Sequence, residues 1–217
     1  MSGGLDSTTL AYYIKSAGYN INGLSFNYGQ KAIKELEVVK EITKRLKLKE
    51  LKVVNIDLAA TCGSALTSDI DVPKVINQNN FFPSENIPIT YVPARNIIFL
   101  SIALAYAETI DAQKIFYGAN CIDYSGYPDC RPAFIEAFNK LSEVGTKAGV
   151  NGKAIKIEAP FLYYSKEDIV KLALKLNVPI DITWSCYENN DKPCGRCESC
   201  LIRQRAIEEA IKEVDNY

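Results

Sequence analysis

Ser2-Gly3-Gly4-Leu5-Asp6-Ser7 leads directly into a segment of helical character, Asp6 to Ala17, that stops at Gly18. Two adjacent glycines let the backbone come close to an anion, and Ser2 and Ser7 add hydroxyl donors. The helix that follows supplies N–H groups with no intrahelical partner and the positive end of its dipole. Together they predict a cradle for phosphate, on neither the G-x-x-x-x-G-K-S/T nor the G-x-G-x-x-G spacing. A plain Gly-Gly turn closed by an aspartate cap is the alternative these six residues leave open.

Outward from this loop, extended and helical segments alternate. Ile21 to Phe26 reads as a short strand and Val53 to Asp57 as a second. Between them Lys31 to Leu48 reads as a helix, with Ile33, Leu36, Val39, Ile42 and Leu46 at helical spacing and Glu41/Arg45 paired opposite. Gly63, Pro73, Pro83 and Pro88 break the pattern over residues 59–93, which predicts a long loop, functional or mobile. Ile97 to Ala107, interrupted only by Ser101, predicts a buried helix from about Arg95 to Thr109. It falls well short of the ~20 apolar residues that cross a bilayer. Lys114 to Tyr117 and Ala154 to Glu158 read as strands, and Pro132 to Lys147 as a helix. Ser165-Lys166-Glu167-Asp168 is a capping box opening a helix to Leu176, and Leu201 to Val214 is the last helix. Such alternation requires right-handed crossovers. It predicts an α/β fold, a Rossmann-like parallel sheet with helices on both faces and ligands beyond the strands' carboxyl ends.

At ~150 residues per domain, 217 residues make one large domain or one domain with an appendage. The predicted division is a nucleotide-binding α/β domain over 1–180, with a metal-binding segment and helix over 181–217 packed on it. A 47% hydrophobic, 24% charged chain is globular rather than disordered. Lys+Arg 25 against Asp+Glu 26 leaves a net charge of −1, so the global basic field of a nucleic-acid binder is missing. The chain has no histidine. Triads that use one are excluded, and proton transfer falls to carboxylates, Lys, Tyr, water or substrate phosphate. With no basic-then-apolar opening, the expectation is a cytoplasmic protein with no membrane partner.

Cys186, Cys194, Cys197 and Cys200 place four thiols within fifteen residues. This predicts one closed, structural Zn²⁺ site per chain. The C-x-x-C-x-x-C spacing also occurs at iron–sulfur clusters, which stays open here. Cys62, Cys121 and Cys130 read as ordinary core residues. Asp123, Tyr124, Asp129 and Arg131 belong to a loop stiffened by Gly126 and Pro128. It is able to hydrogen-bond the edge of a flat heterocycle and a carboxylate, or else is a solvated loop. Arg95 at a helix start either pairs with an anion or bonds loop carbonyls. Trp184 either stacks on a purine-like ring or fills the core. Lys166, in a helix's first turn, reads as solvated, with a phosphate ligand as the alternative.

The run from Ser2 to Ser7 matches the signature S-G-G-x-D-S, and the chain resembles the PP-loop ATP pyrophosphatases, whose fold is adenine-nucleotide alpha-hydrolase-like. Three further stretches narrow the likeness: Tyr28-Gly29-Gln30, Tyr91-Val92-Pro93-Ala94-Arg95-Asn96, and Asp123 to Arg131. With Thr183-Trp184-Ser185-Cys186-Tyr187 and the four cysteines, the chain resembles the 7-cyano-7-deazaguanine synthase family over nearly its whole length. Two departures stand out. Ala94 occupies a position where the family commonly has Gly. Only Met1 precedes the loop, where the family has a strand, so the expectation is a truncated chain or another segment in that place.

The resemblance implies that ATP is held by Ser2, Gly3, Gly4, Leu5, Asp6, Ser7, Thr8, Thr9 and Leu10, with Asp6 helping to place Mg²⁺. Asp6, Arg95 and Asp123 are the implied catalytic residues, and Asp123, Tyr124, Asp129 and Arg131 the implied contacts to a deazapurine. ATP would adenylate the carboxylate of 7-carboxy-7-deazaguanine, ammonia would displace AMP, and a second adenylation would release the nitrile. Asp123 or the departing phosphate would accept ammonia's proton. A homodimer is implied as well. The competing readings are a PP-loop tRNA-modifying sulfurtransferase and a zinc-stabilised nucleotide sensor without turnover.

Overall fold

Helical spacing of Leu5, Leu10, Ala11 and Ile14 gives α1 (Leu5–Ser16) one buried side. A computed structural model describes residues 1–60, 63–74, 87–120, 127–188 and 191–214. The expected alternation is present among them: β1 (Asn22–Asn27), α2 (Lys34–Leu46), β2 (Glu50–Asn55), α3 (Arg95–Thr109), β3 (Lys114–Phe116), α4 (Pro132–Gly145), α5 (Lys147–Val150), β4 (Lys156–Glu158), α6 (Lys166–Lys175) and α7 (Glu198–Val214). Both strand pairs are parallel, β1 with β2 and β3 with β4. The fold is α/β, as expected. Among the described residues no helix is long and apolar enough to cross a membrane.

The chain divides into two units. The first comprises Met1–Ser84, Ile89–Pro93 and Ser165–Tyr217. Here Val38, Ile42 and Leu46 of α2 form a core with Ala11, Trp184, Cys186, Cys197 and Cys200. Ile33 stays 56% exposed because α2 begins only at Lys34, one residue beyond it. β2 starts three residues before the expected Val53, since pairing from Asn22↔Glu50 to Asn27↔Asn55 uses the whole length of β1. Tyr28-Gly29-Gln30 closes the turn after β1: the Tyr28 N–H donates to Gln30 Oε1 (2.8 Å), and Gly29 takes φ +83°. The capping box at α6 is present in full. Ser165 Oγ accepts from Asp168 N–H (3.1 Å) and Asp168 Oδ2 from Ser165 N–H (3.0 Å).

The second unit comprises Glu85–Pro88 and Ala94–Tyr164. Leu100, Leu104 and Ala107 of α3 pack with Ile135 and Phe138 of α4 and with Ile155 and Ile157. Polar side chains of α4 complete the short strand β4. Asn139 Oδ1 accepts from Ile157 N–H and its Nδ2 donates to Ile157 O, both at 2.9 Å, in place of a neighbouring strand. α3 is less buried than its composition suggests. Ile97 is 46% exposed, and Ser101 and Ala105 on the same face are exposed too.

Candidate functional site

The loop at Ser2–Ser7 folds on itself through its own hydroxyls. Ser7 Oγ accepts from Ser2 N–H (3.1 Å) and lies 3.0 Å from Ser2 Oγ, which accepts from Gly4 N–H (3.3 Å). Gly3 stands at φ +76°, and a Cβ there would sit 2.5 Å from Glu35 O. Among the described residues no side chain caps α1, so the N–H groups of its first turn keep their anion-binding capacity. Behind them Thr8 and Thr9 are fully buried. Their Oγ1 atoms have no hydrogen-bond partner among the described residues, a state that costs about 1–3 kcal/mol per group. Leu5 and Leu10 turn their side chains into the core, at 3% and 4% exposure. Free first-turn donors and two orphaned hydroxyls fit a polyanionic ligand.

Asp6, in the first turn of α1, receives Lys166 Nζ on both carboxylate oxygens, at 2.7 and 2.6 Å. Lys166 is 6% exposed, so it is not the solvated residue its position suggested. The capping box fixes Lys166 as the first residue of α6, and packing of α6 on α1 turns it inward. Residues 160 apart meet here, which no local pattern in the sequence announces. Asp6 offers Mg²⁺ one hard carboxylate. That suits an ion which usually takes one or two carboxylates and draws its other ligands from phosphates and water.

In the second unit Arg95, Asn96, Tyr117, Asp129 and Cys130 gather where β3 ends. Asp129 is 4% exposed and its Oδ1 has no hydrogen-bond partner among the described residues. Burial raises its carboxyl pKa from the ordinary 3.8, against the opposing pull of the Arg95 charge and the Asn96 hydrogen bond. Tyr117 Oη donates to Asp129 O (3.1 Å). Burial first, and the Asp129 charge second, push the half-buried Cys130 thiol up to about 11. Arg131 is exposed at the start of α4. Asp123, Tyr124, Cys62 and Cys121 lie outside the described residues.

Two expected results follow from this unit. Ala94 adopts φ +55°, ψ 13°, a left-handed conformation that costs an L-residue roughly 1–2 kcal/mol. Ala94→Gly removes that strain but adds chain entropy in the unfolded state, for a net gain of about 1 kcal/mol and a melting temperature raised by about 2–4 °C. Differential scanning calorimetry checks it; an unchanged or lower transition counts against the strain. Asp129→Asn is expected to stabilise the fold at neutral pH. A carboxyl with a raised folded-state pKa loses its contribution as pH rises through that value, so the variant's advantage grows upward from pH ~4 and vanishes below it. Urea denaturation at several pH values measures this, and a pH-independent difference would contradict it.

The four cysteine Sγ atoms all lie within 4.8 Å of one another. A tetrahedron with Zn–S of ~2.3 Å has edges of about 3.8 Å, so the set needs only a small contraction around an ion. Backbone N–H groups already point at sulfur: Cys194 N–H and Glu188 N–H donate to Cys186 Sγ (3.3 and 3.4 Å), and Cys197 N–H to Cys194 Sγ (3.3 Å). A hydrogen bond from Cys200 pulls the Cys197 thiol down to about 5, whereas burial pushes Cys186 up to about 11. Trp184 belongs to this core. It is 5% exposed, its Nε1–H donates to Cys186 O (2.9 Å), and Lys34 Nζ lies 4.9 Å from its ring centroid.

A family model, "Queuosine biosynthesis protein QueC", matches residues 1–211. The chain belongs to the QueC family. Curated relatives named "7-cyano-7-deazaguanine synthase" include that of Acetivibrio thermocellus, 52% identical over 97% of this chain and 91% of the relative. That of Picrophilus torridus is 54% identical (97% and 86% coverage), and that of Thermoplasma acidophilum 48% (98% and 87%). The solved U34-tRNA thiolase NcsA from Methanococcus maripaludis, with its [4Fe-4S] cluster, aligns at a TM-score of 0.49 and 18% identity. It covers 100% of this chain and 65% of its own, a likeness that fixes neither fold nor metal. For this QueC chain, sequence reasoning overlooked the Lys166–Asp6 pair and Arg203. Arg203 bonds Ile180 O and Thr183 Oγ1, both at 2.6 Å.

Proposed function

We propose that this chain is a 7-cyano-7-deazaguanine synthase, converting 7-carboxy-7-deazaguanine and ammonia to the nitrile at the expense of ATP, for queuosine or archaeosine biosynthesis. Membership of the QueC family supports the reaction. The observation that carries it is the uncapped start of α1 beneath Gly3 and Gly4, a ready site for a polyphosphate. A carboxylate oxygen attacks the α-phosphorus and pyrophosphate leaves. Ammonia attacks the acyl carbon, loses a proton and expels AMP, giving the amide. The amide oxygen is adenylated by a second ATP, and loss of AMP and a proton leaves the nitrile. Acid, ammonia and two ATP thus become nitrile, two AMP and two pyrophosphate.

Ser2, Gly3, Gly4 and Ser7 hold the departing pyrophosphate by N–H and hydroxyl donors, the remaining residues to Leu10 framing the nucleotide. Asp6 would hold Mg²⁺, whose charge would offset that of the phosphates, and Lys166 fixes the carboxylate's orientation through both of its oxygens. Arg95 pairs with phosphate or substrate carboxylate. Asp129, with Asp123, Tyr124 and Arg131, orients the heterocycle; its unpartnered oxygen is an acceptor for a ring N–H or exocyclic amine. Asp123 or the leaving phosphate takes ammonia's proton. The four cysteines hold one structural zinc, and the enzyme works in the cytoplasm as a homodimer. Incubation with ATP, Mg²⁺, ammonia and the carboxy base tests the reaction: nitrile with two AMP per turnover is expected. AMP formed only when tRNA is added, or ATP bound without pyrophosphate release, would overturn it. Metal analysis of protein purified without added zinc is expected to give about one zinc per chain, and stoichiometric iron with visible absorbance would refute that part.

A further inference from the structure

Between α6 and the four cysteines the chain passes through Ile180–Ser185, and this passage touches the phosphate loop inside the first unit. Trp184 N–H donates to Gly3 O (3.0 Å), and a Cβ on Gly4 would lie 3.5 Å from Trp184 O. The passage is tied at both ends. At one end Trp184 Nε1–H bonds Cys186 O, and Cys186 is 1% exposed within the cysteine core. At the other, Thr183 Oγ1–H donates to Ile180 O (2.7 Å). Arg203 spans the whole, with its guanidinium on Ile180 O and Thr183 Oγ1 (2.6 Å each) and on Ser185 Oγ (3.3 Å). It stands three residues after Cys200 on α7. The titratable groups around it are Cys200, Asp6 and Asp181. Gly3 is thereby pinned on both sides, by Trp184 N–H on its carbonyl and by Glu35 O behind its Cα.

We propose that Thr183-Trp184-Ser185-Cys186 is a strap through which the cysteine centre and Arg203 hold the Ser2–Ser7 loop in its anion-binding shape. Arg203 and Thr183 are then positioning residues for the nucleotide. The strap's role in binding rests on the reading of Ser2–Ser7 as a phosphate loop; its mechanical role does not. A rigid fork on three oxygens suits arginine, and lysine reproduces the charge without the geometry.

The test compares the parent protein with Arg203→Met, Arg203→Lys and Thr183→Val. It reads hydrogen exchange of residues 2–8, calorimetric affinity for inorganic pyrophosphate, and metal content. Arg203→Met is expected to keep its metal and its exchange in α4, while the loop amides exchange at least about tenfold faster and pyrophosphate binds at least about tenfold more weakly. Arg203→Lys recovers part of both and Thr183→Val shows the smaller effect. Chelator-stripped parent protein reproduces the loop change, reversed by restoring zinc. Unchanged loop exchange in both Arg203→Met and the stripped protein overturns the strap, as does a rise spread equally through α4. Faster loop exchange in a chain whose parent binds no pyrophosphate upholds the strap and defeats the phosphate reading instead.

Discussion

Gly3→Ala is expected to lower pyrophosphate release from ATP at least about a hundredfold while leaving the rest of the chain folded. Two separate penalties meet at this residue. The left-handed backbone at φ +76° disfavours any side chain by roughly 1–2 kcal/mol. The added Cβ would also lie 2.5 Å from Glu35 O and 3.1 Å from Val38 Cβ, and neither backbone oxygen nor helix core yields like the tip of a flexible side chain. The loop must move instead, and a displacement near 1 Å at a reacting group costs about a hundredfold in rate. Gly4→Ala is the informative comparison. Gly4 has φ −74°, and its added methyl would meet only ordinary contacts at 3.4 and 3.5 Å. Steady-state AMP formation and thermal melts of both variants measure the contrast. Normal kcat/KM in Gly3→Ala would remove the loop from the reaction.

The largest loss of stability is expected from Cys197→Ser. Cys197 is fully buried in the core that also holds Val38, Ile42 and Trp184. Structural zinc contributes about 10–16 kcal/mol of apparent binding energy in zinc-finger peptides, as much as the whole net stability of a typical domain, about 5–15 kcal/mol. Without one thiolate the variant is expected to purify with less than a tenth of the parent's zinc and to be cut rapidly within residues 181–217 by dilute protease. Cys130→Ser, remote in sequence and outside the cluster, should retain full metal content. A Cys197→Ser protein with parental zinc and parental melting would show that the four thiols are not a metal site.

Legibility followed the range of the interactions involved. The Ser2–Ser7 loop, the Ser165/Asp168 capping box and the cysteine spacing are local, and each formed where its residues predicted. Strand boundaries were set by partners instead: β2 starts at Glu50 because β1 is there to pair with it, not because Glu50 favours extended backbone. Trp184 could be read either as a stacking ring or as core until its indole N–H was seen on Cys186 O. Lys166 and Arg203 were hidden for the same reason. Both are charges whose burial is compensated by groups far away in sequence, and periodicity registers neither.

Of the four sulfurs, only Cys194 is partly exposed; Cys186, Cys197 and Cys200 are sealed in the core. A scavenging chelator or a thiophilic intruder such as cadmium would therefore reach an ion held there by way of Cys194, so that this single sulfur would set how fast such an ion is traded with the surroundings.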